Sequence, residues 1–339
     1  FIIIKMQDSF GNLTMLNSAP GPFRFQLFAI VFVFGISFLN LSLVFATDAN
    51  VNRNTINATA TPIAGLFPDA NLQKCIEHIA VSNDWTYAEQ ITGRVDCRKH
   101  NITNLAGIET LGNITSLDIS INYISDINPL AKLYKLEILK LSFNTVADLR
   151  PLASLTQLRI LNISNNMVTD ITTLANLYQL ENLNLQNNLI TNISPISGLT
   201  ALESLDLAVN AVNDINALTH LTNLKYLSLL NNDITDITGL EKLTNLQGLN
   251  LRGNHIKNTE NIANLLKLSN LNLSDNSIET NTVAGLHALT SMPELQYVNL
   301  SGNQQVSCVA LSSLIAELKA ANKVVVPAMV QLDNGCSDQ

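Results

Sequence analysis

"LEILKLSFNTVADLRPLASLTQ" fills residues 136–157, and residues 158–179 restate it as "LRILNISNNMVTDITTLANLYQ". Each phrase holds an asparagine at the same place, Asn144 and Asn166. Extending the frame in both directions gives Asn122, Asn188, Asn210, Asn232, Asn254 and Asn276, all 22 residues apart, and then Asn303 after 27. An apolar column keeps the same step: Leu117, Leu139, Leu161, Leu183, Leu205, Leu227, Leu249 and Leu271. A fixed period in this range marks a solenoid, in which each unit buries its apolar face only against its neighbours.

Within one unit, Leu139-Lys140-Leu141 alternates as a short strand does when one face is buried. Asn144 then turns the chain, because a buried amide can both donate to and accept from the backbone of a bend. Val146 and Leu149 plug the core. Leu152, Leu155 and Leu158 follow at spacing three, which suits a 3₁₀ segment better than an α-helix. The expected fold is therefore an α/β repeat solenoid, with a curved parallel β-sheet on the concave face and 3₁₀ or short helices on the convex face. Eight or nine strands stacked about 4.8 Å apart would span on the order of 40 Å.

The phrases "LYKLEILKLSFNTVADLRPL" (133–152) and "LTNLKYLSLLNNDITDITGL" (221–240) resemble, column by column, the LxxLxxLxLxxNxIxDIxPL units of bacterial leucine-rich repeat proteins of the internalin type. "LFPDANLQKCIEHIA" (66–80) is similar to the helical cap that precedes such arrays, and "ITNLAGIETLGNIT" (102–115) to the entry into their first repeat. The resemblance covers residues 66 to 307 and implies a leucine-rich repeat horseshoe. Internalins that grip host receptors commonly add an immunoglobulin-like domain and a wall anchor. The tail after Asn303 is short for the first and has no sorting motif for the second.

Outside the repeats, "FRFQLFAIVFVFGISFLNLSLVFA" places Arg24 before an apolar run and ends on Val44-Phe45-Ala46, an A-x-A-like cleavage site. Residues 1–46 therefore read as a signal peptide, with translation expected to begin at Met6 or Met15. The competing reading is a retained anchor, since the run is long enough to span a bilayer. Removing Lys5, Arg24 and Asp8 from the 19 basic and 27 acidic residues leaves a net charge of −9. An acidic chain without a basic stripe argues against nucleic-acid binding.

The expected organisation continues with a flexible polar leader (47–62), a helical N-terminal cap (63–100), about nine repeats (101–303) and a C-terminal cap (304–339). The front cap presents Leu72, Ile76 and Ile79 on one face of a helix from Pro68 to Ala80. The final 27-residue unit has room for an α-helical turn or two. "CVALSSLIAELKAA" (308–321) then reads as an amphipathic helix and "KVVVPAMVQL" as an extended piece. Cysteines flank the array in two pairs, Cys75 with Cys97 and Cys308 with Cys336, and an even count in an exported chain reads as disulfides. The second pair would contribute roughly 3 kcal/mol on the chain-entropy model.

Cys75-x-x-His78 and Cys97-x-x-His100 could instead form a Cys₂His₂ zinc site. Export favours the disulfide, with His78 on the helix surface and His100 in the slot that asparagine takes later. Asp126, Asp148, Asp170, Asp214 and Asp236, with Asn192 and Asn258, form a ladder that invites a calcium reading. The asparagines in that column favour capping of the following turn. His220, His255 and His287 are scattered, and no catalytic fingerprint accompanies them. No enzyme, cofactor or metal is expected.

Binding is then left to the concave face. One outward column runs Asp118, Lys140, Asn162, Asn184, Asp206, Ser228, Asn250, Asn272 and Asn299, beside another that includes Ser120, Ser142, Leu230 and Arg252. Against this polar field, Ile121, Ile138, Phe143 and Ile160 are expected to form one apolar cluster, and Val209, Tyr226 and Leu230 a second. With Lys140, Asp206 and Arg252 these are the candidate contacts of a protein or surface-glycan partner. The sequence thus reads as a monomeric, non-enzymatic binding protein that is secreted, periplasmic or on the cell surface, touching a membrane only through its N-terminal segment. The rival reading is an intracellular regulator, since the leucine-rich regulatory subunit of protein phosphatase 1 has the same period and looks similar. The apolar leader and the cysteine pairs argue against it.

Overall fold

The computed structural model describes residues 60–303 and 306–326. The N-terminal signal or anchor segment, most of the polar leader, Cys336 with its pairing to Cys308, and the chain beyond residue 326 lie outside the described residues. No helix among the described residues is long and apolar enough to cross a membrane.

Among the described residues, eleven parallel strands follow one another in chain order in a single sheet. They are β1 (Gly93–Asp96), β2 (Ile114–Asp118), β3 (Ile138–Lys140), β4 (Ile160–Asn162), β5 (Asn182–Asn184), β6 (Ser204–Asp206), β7 (Tyr226–Ser228), β8 (Gly248–Asn250), β9 (Asn270–Asn272), β10 (Tyr297–Asn299) and β11 (Val324–Val326). From β3 to β9 each residue pairs with the residue 22 positions on, as Leu139 does with Leu161. The count exceeds the eight or nine strands expected because both caps add to the sheet. β1 pairs with β2 at the front and β11 with β10 at the back, which covers edges that would otherwise expose unpaired backbone.

The leucine column from Leu117 to Leu271 is buried throughout. Behind it the chain returns in 3₁₀ segments such as Arg150–Ser154, where the N–H groups of Leu152, Leu155 and Leu158 each donate to the carbonyl three residues back. The long unit keeps this habit. Thr280–Ser291 is 3₁₀, not the α-helical turn expected, because Leu286, Leu289 and Met292 are still buried at spacing three.

Each asparagine bolts its unit to the preceding one. Asn188 Nδ2 donates to the carbonyls of Leu185 in its own unit and Ile163 in the unit before, both at 3.0 Å. Its Oδ1 accepts the Val168 N–H of that preceding unit at 3.0 Å. Asn122, Asn144, Asn166, Asn210, Asn232, Asn254, Asn276 and Asn303 make equivalent bonds. A residue lacking either the donor or the acceptor would strand backbone groups in the core.

At the front, α1 (Ala70–Val81) buries Leu72 and Ile76 and is capped by Asp69. One Asp69 oxygen accepts the N–H groups of Asn71 and Leu72, and the other accepts those of Thr103 and Asn104. Burial works to raise the Asp69 pKa, but these backbone donors outweigh it and hold the carboxyl below its ordinary value. A Cys75–Cys97 disulfide joins α1 to the chain just after β1. At the back, α2 (Cys308–Ala320) buries Leu314 and Leu318.

Candidate functional site

The repeats serve as alignments of one another, so a functional surface should appear where one unit breaks the pattern of the rest. The residue before each ladder asparagine has positive φ: Ile121, Phe143, Asn165, Asn187, Val209, Asn231, Gly253, Asp275 and Gly302 all lie between 52° and 72°. Asparagine, aspartate and glycine tolerate this left-handed conformation. For β-branched or bulky side chains it is an outlier with a cost of roughly 1–2 kcal/mol. Ile121, Phe143 and Val209 therefore carry strain that the neighbouring units avoid, and Ile121 and Phe143 are also exposed.

Tyr123, Met167 and Leu189, in the column after the asparagine, lie on the same rim where the chain leaves the sheet. With Ile121 and Phe143 they form a stripe of five large apolar side chains, each 42–64% exposed, over four consecutive units. Scattered exposed apolar residues need no explanation, but five of them within four consecutive units do.

The structure corrects the clusters expected from sequence. Ile138 and Ile160 are register partners at the start of β3 and β4, half-buried. Phe143 lies five residues beyond Ile138, up to roughly 16 Å along an extended chain. The proposed front cluster is therefore two pairs, Ile138 with Ile160 on the sheet and Ile121 with Phe143 on the rim. The second cluster divides in the same way. Tyr226 begins β7, whereas Leu230 lies four residues on, where its carbonyl accepts the Val209 N–H at 2.7 Å. Arg252 is paired with Asp275 at 2.7 Å rather than presented alone.

The outward Asn/Asp column also has structural duty. Asp118, Asn162, Asn184, Asp206, Asn250, Asn272 and Asn299 each accept the N–H two residues on through Oδ1, which ends the strand. Lys140 stands in this column without that capacity, three residues before the strained Phe143. The Asp126-to-Asp236 ladder behaves similarly: each of its carboxylates accepts the N–H two residues ahead, opening the 3₁₀ segment or turn that follows. Bonds from the Arg150 side chain hold the Asp148 carboxyl below its ordinary pKa, and the hydroxyls of Thr172 and Thr238 do the same for Asp170 and Asp236.

A hollow of about 400 Å³ lies on the concave face over β6 to β10. Tyr297 stands at its β10 end and Tyr226 on β7, one strand in from the other end, and between them in the same register come Gly248 and Asn270. Ser228, Asn250, Asn272 and Asp206 line its floor. Burial raises the Asp206 pKa, only partly offset by bonds from the Ala208 N–H and the Ser228 hydroxyl. Gly248 and Tyr297 escaped sequence reasoning.

The family of leucine-rich repeats (in its two-copy form) matches residues 134–176, 179–220 and 222–264. Among solved structures, an internalin (InlF) from Listeria monocytogenes is similar, with a TM-score of 0.63 and 26% identity over 84% of this chain and 98% of that one. Internalin C2 from the same organism gives a TM-score of 0.55 and 28% identity, over 72% of this chain and 98% of that one. No curated protein matches the sequence significantly.

Proposed function

We propose that this chain, a protein-interaction repeat protein of the leucine-rich, internalin-like type, is an exported, non-enzymatic binder that holds a protein partner against its front rim and the adjoining concave sheet. The observation that carries this reading is the αL column. Ile121 and Phe143 accept both backbone strain and exposure where Asn165, Asn187 and Asn231 accept neither penalty. Strain at an exposed apolar position is best explained by what the side chain contacts when bound. Tyr123, Met167 and Leu189 extend the patch, and Lys140 adds a cation beside it.

The Cys75–Cys97 disulfide supports export, because cytosolic thiols are kept reduced. It also weighs against the phosphatase-regulator reading. Among the described residues no group of three or more His, Cys, Asp or Glu could hold a metal ion.

The test substitutes the residue that the column itself prefers. Phe143→Asn and Ile121→Asn relieve the strain and remove the apolar contact. Binding of the purified, disulfide-intact protein to intact bacterial and mammalian cells is compared with binding by the parent. Both variants should melt at or above the parental temperature and bind at least tenfold more weakly. Undiminished binding by both would show that the rim is not the contact.

A further inference from the structure

We propose that the hollow over β6 to β10 is a separate binding site for a neutral pyranose glycan, held between Tyr226 and Tyr297. The site shares no residue with the rim, so it stands or fails independently of the protein-binding reading.

The argument begins with the floor. Asn250 Oδ1 accepts the Arg252 N–H at 3.2 Å, and Asn272 Oδ1 accepts both the N–H and the hydroxyl of Ser274 at 3.0 and 2.7 Å. These bonds fix the amide orientation, so the NH₂ group of each is left as a donor that no neighbour among the described residues uses. Beside them, Asp206 uses Oδ1 on the Ala208 N–H at 3.0 Å, and its carboxylate meets the Ser228 hydroxyl. The floor thus offers two amide donors, one carboxylate acceptor and one hydroxyl within three adjacent strands and their neighbour β6.

The walls are aromatic. Tyr226 and Tyr297 are three strand spacings apart in register, roughly 14 Å. Tyr226 is positioned before any ligand arrives: its hydroxyl donates to Gln247 Oε1 at 3.1 Å. Its ring also lies close over Gly248, where an added Cβ would come within 3.1 Å of the ring Cδ1. A pre-set aromatic wall loses little entropy on binding. The volume falls at the small end of the range of small-ligand sites, about 300–1,000 Å³.

These features select among ligand chemistries. An apolar side chain would leave the amide donors and Asp206 half-buried without partners. An anion would meet the Asp206 carboxylate, and a cation would leave the amides unused. A sugar ring meets every requirement: its hydroxyls donate and accept in turn, and its C–H face lies on the electron-rich face of a tyrosine.

The test uses the full disulfide-intact protein and saturation-transfer-difference NMR with three probes: cellotetraose, chitotetraose and the anionic sialyllactose. A neutral probe should show transfer with a dissociation constant of order 1 mM, and sialyllactose should show none. Tyr226→Ala and Tyr297→Ala should each weaken binding about tenfold, Tyr226→Phe should weaken it less, losing only the bond to Gln247 that helps pre-set the ring, and Gly248→Ala should weaken it with both rings present. Asp206→Asn keeps the bond to the Ala208 N–H but removes the anionic acceptor, so it should also lose affinity. Absence of transfer to both neutral probes would overturn the proposal, as would equal binding by wild type and Tyr226→Ala. A peptide partner displaced by Tyr226→Ala while no sugar binds would reassign the hollow to protein contact.

Discussion

Among the described residues, Thr259 is a buried position where a repeat breaks its own core pattern. The column it occupies reads Ile127, Leu149, Ile171, Ile193, Ile215 and Ile237 in the preceding units, all buried aliphatic plugs. Thr259 is itself fully buried, and its hydroxyl has no hydrogen-bond partner. A hydroxyl buried without a partner costs about 1–3 kcal/mol in protein mutational series. Thr259→Val has nearly the same shape and removes only that group, so it should stabilise the protein by about 1–2 kcal/mol. Thr259→Ile adds one methylene, worth about 0.8 kcal/mol more if the site accepts it without strain. The backbone permits the change, since Thr259 (φ −120°, ψ 8°) nearly shares the conformation of Ile215 (φ −109°, ψ 13°). Urea unfolding provides the assay: the midpoint should rise at constant slope. Amide exchange should slow at Ile262, whose N–H donates to the Thr259 carbonyl. A lower midpoint for Thr259→Val would mean that the hydroxyl is satisfied in solution, and the reasoning would fail.

Three further outcomes follow from the same contacts. Asn188→Ala should destabilise by about 3 kcal/mol, measured by urea unfolding, because it leaves the Val168 N–H and the carbonyls of Ile163 and Leu185 without partners. Replacing Cys75 and Cys97 together by serine should lower stability by about 3 kcal/mol and expose the front cap first to limited proteolysis, a loss that reduction of the parent should reproduce. The pH dependence has two parts of opposite sign. Asp69, Asp148, Asp170 and Asp236 have folded pKa values below their unfolded ones, so their contribution is complete above about pH 4 and is lost as pH falls through the folded values. Asp206 has a raised folded pKa, so its ionisation opposes folding and is relieved as pH falls through that value. A melting-temperature scan should therefore rise slightly as pH falls through the Asp206 value, before the acid fall, and Asp206→Asn should remove only the rise.

The solenoid was legible because its constraints repeat. The 22-residue asparagine column, the leucine column and the spacing of three in Leu152, Leu155 and Leu158 each map onto a bond or a buried position. Of the two extra strands, β11 falls in the expected extended piece KVVVPAMVQL, whereas β1 was not legible, since it comes from a cap sequence outside the period. The site was read less well for a geometric reason. Columns in sequence say which residues are lateral neighbours, but not that Ile138 and Phe143 lie at opposite ends of one segment. The αL rim had left a trace in Asn165, Asn187, Asn231, Gly253 and Gly302, residues that favour positive φ, against which Ile121 and Phe143 stand out. Tyr297 was hidden because the 27-residue unit shifts it out of phase with Tyr226.

The constant register of the sheet makes the molecule a ruler. Each unit moves the surface forward by one strand spacing, about 4.8 Å, so the separation between Phe143 on the rim and Tyr226 at the hollow comes in whole steps. Excising residues 145–166 would rejoin Asn144 to Met167 in frame and draw Phe143 and Tyr226 together by one graduation, leaving β3 to pair with β5 in the same register. A ligand held only in the hollow would be indifferent to that cut. One that spans both would find its two footholds out of step and lose the advantage of holding them at once.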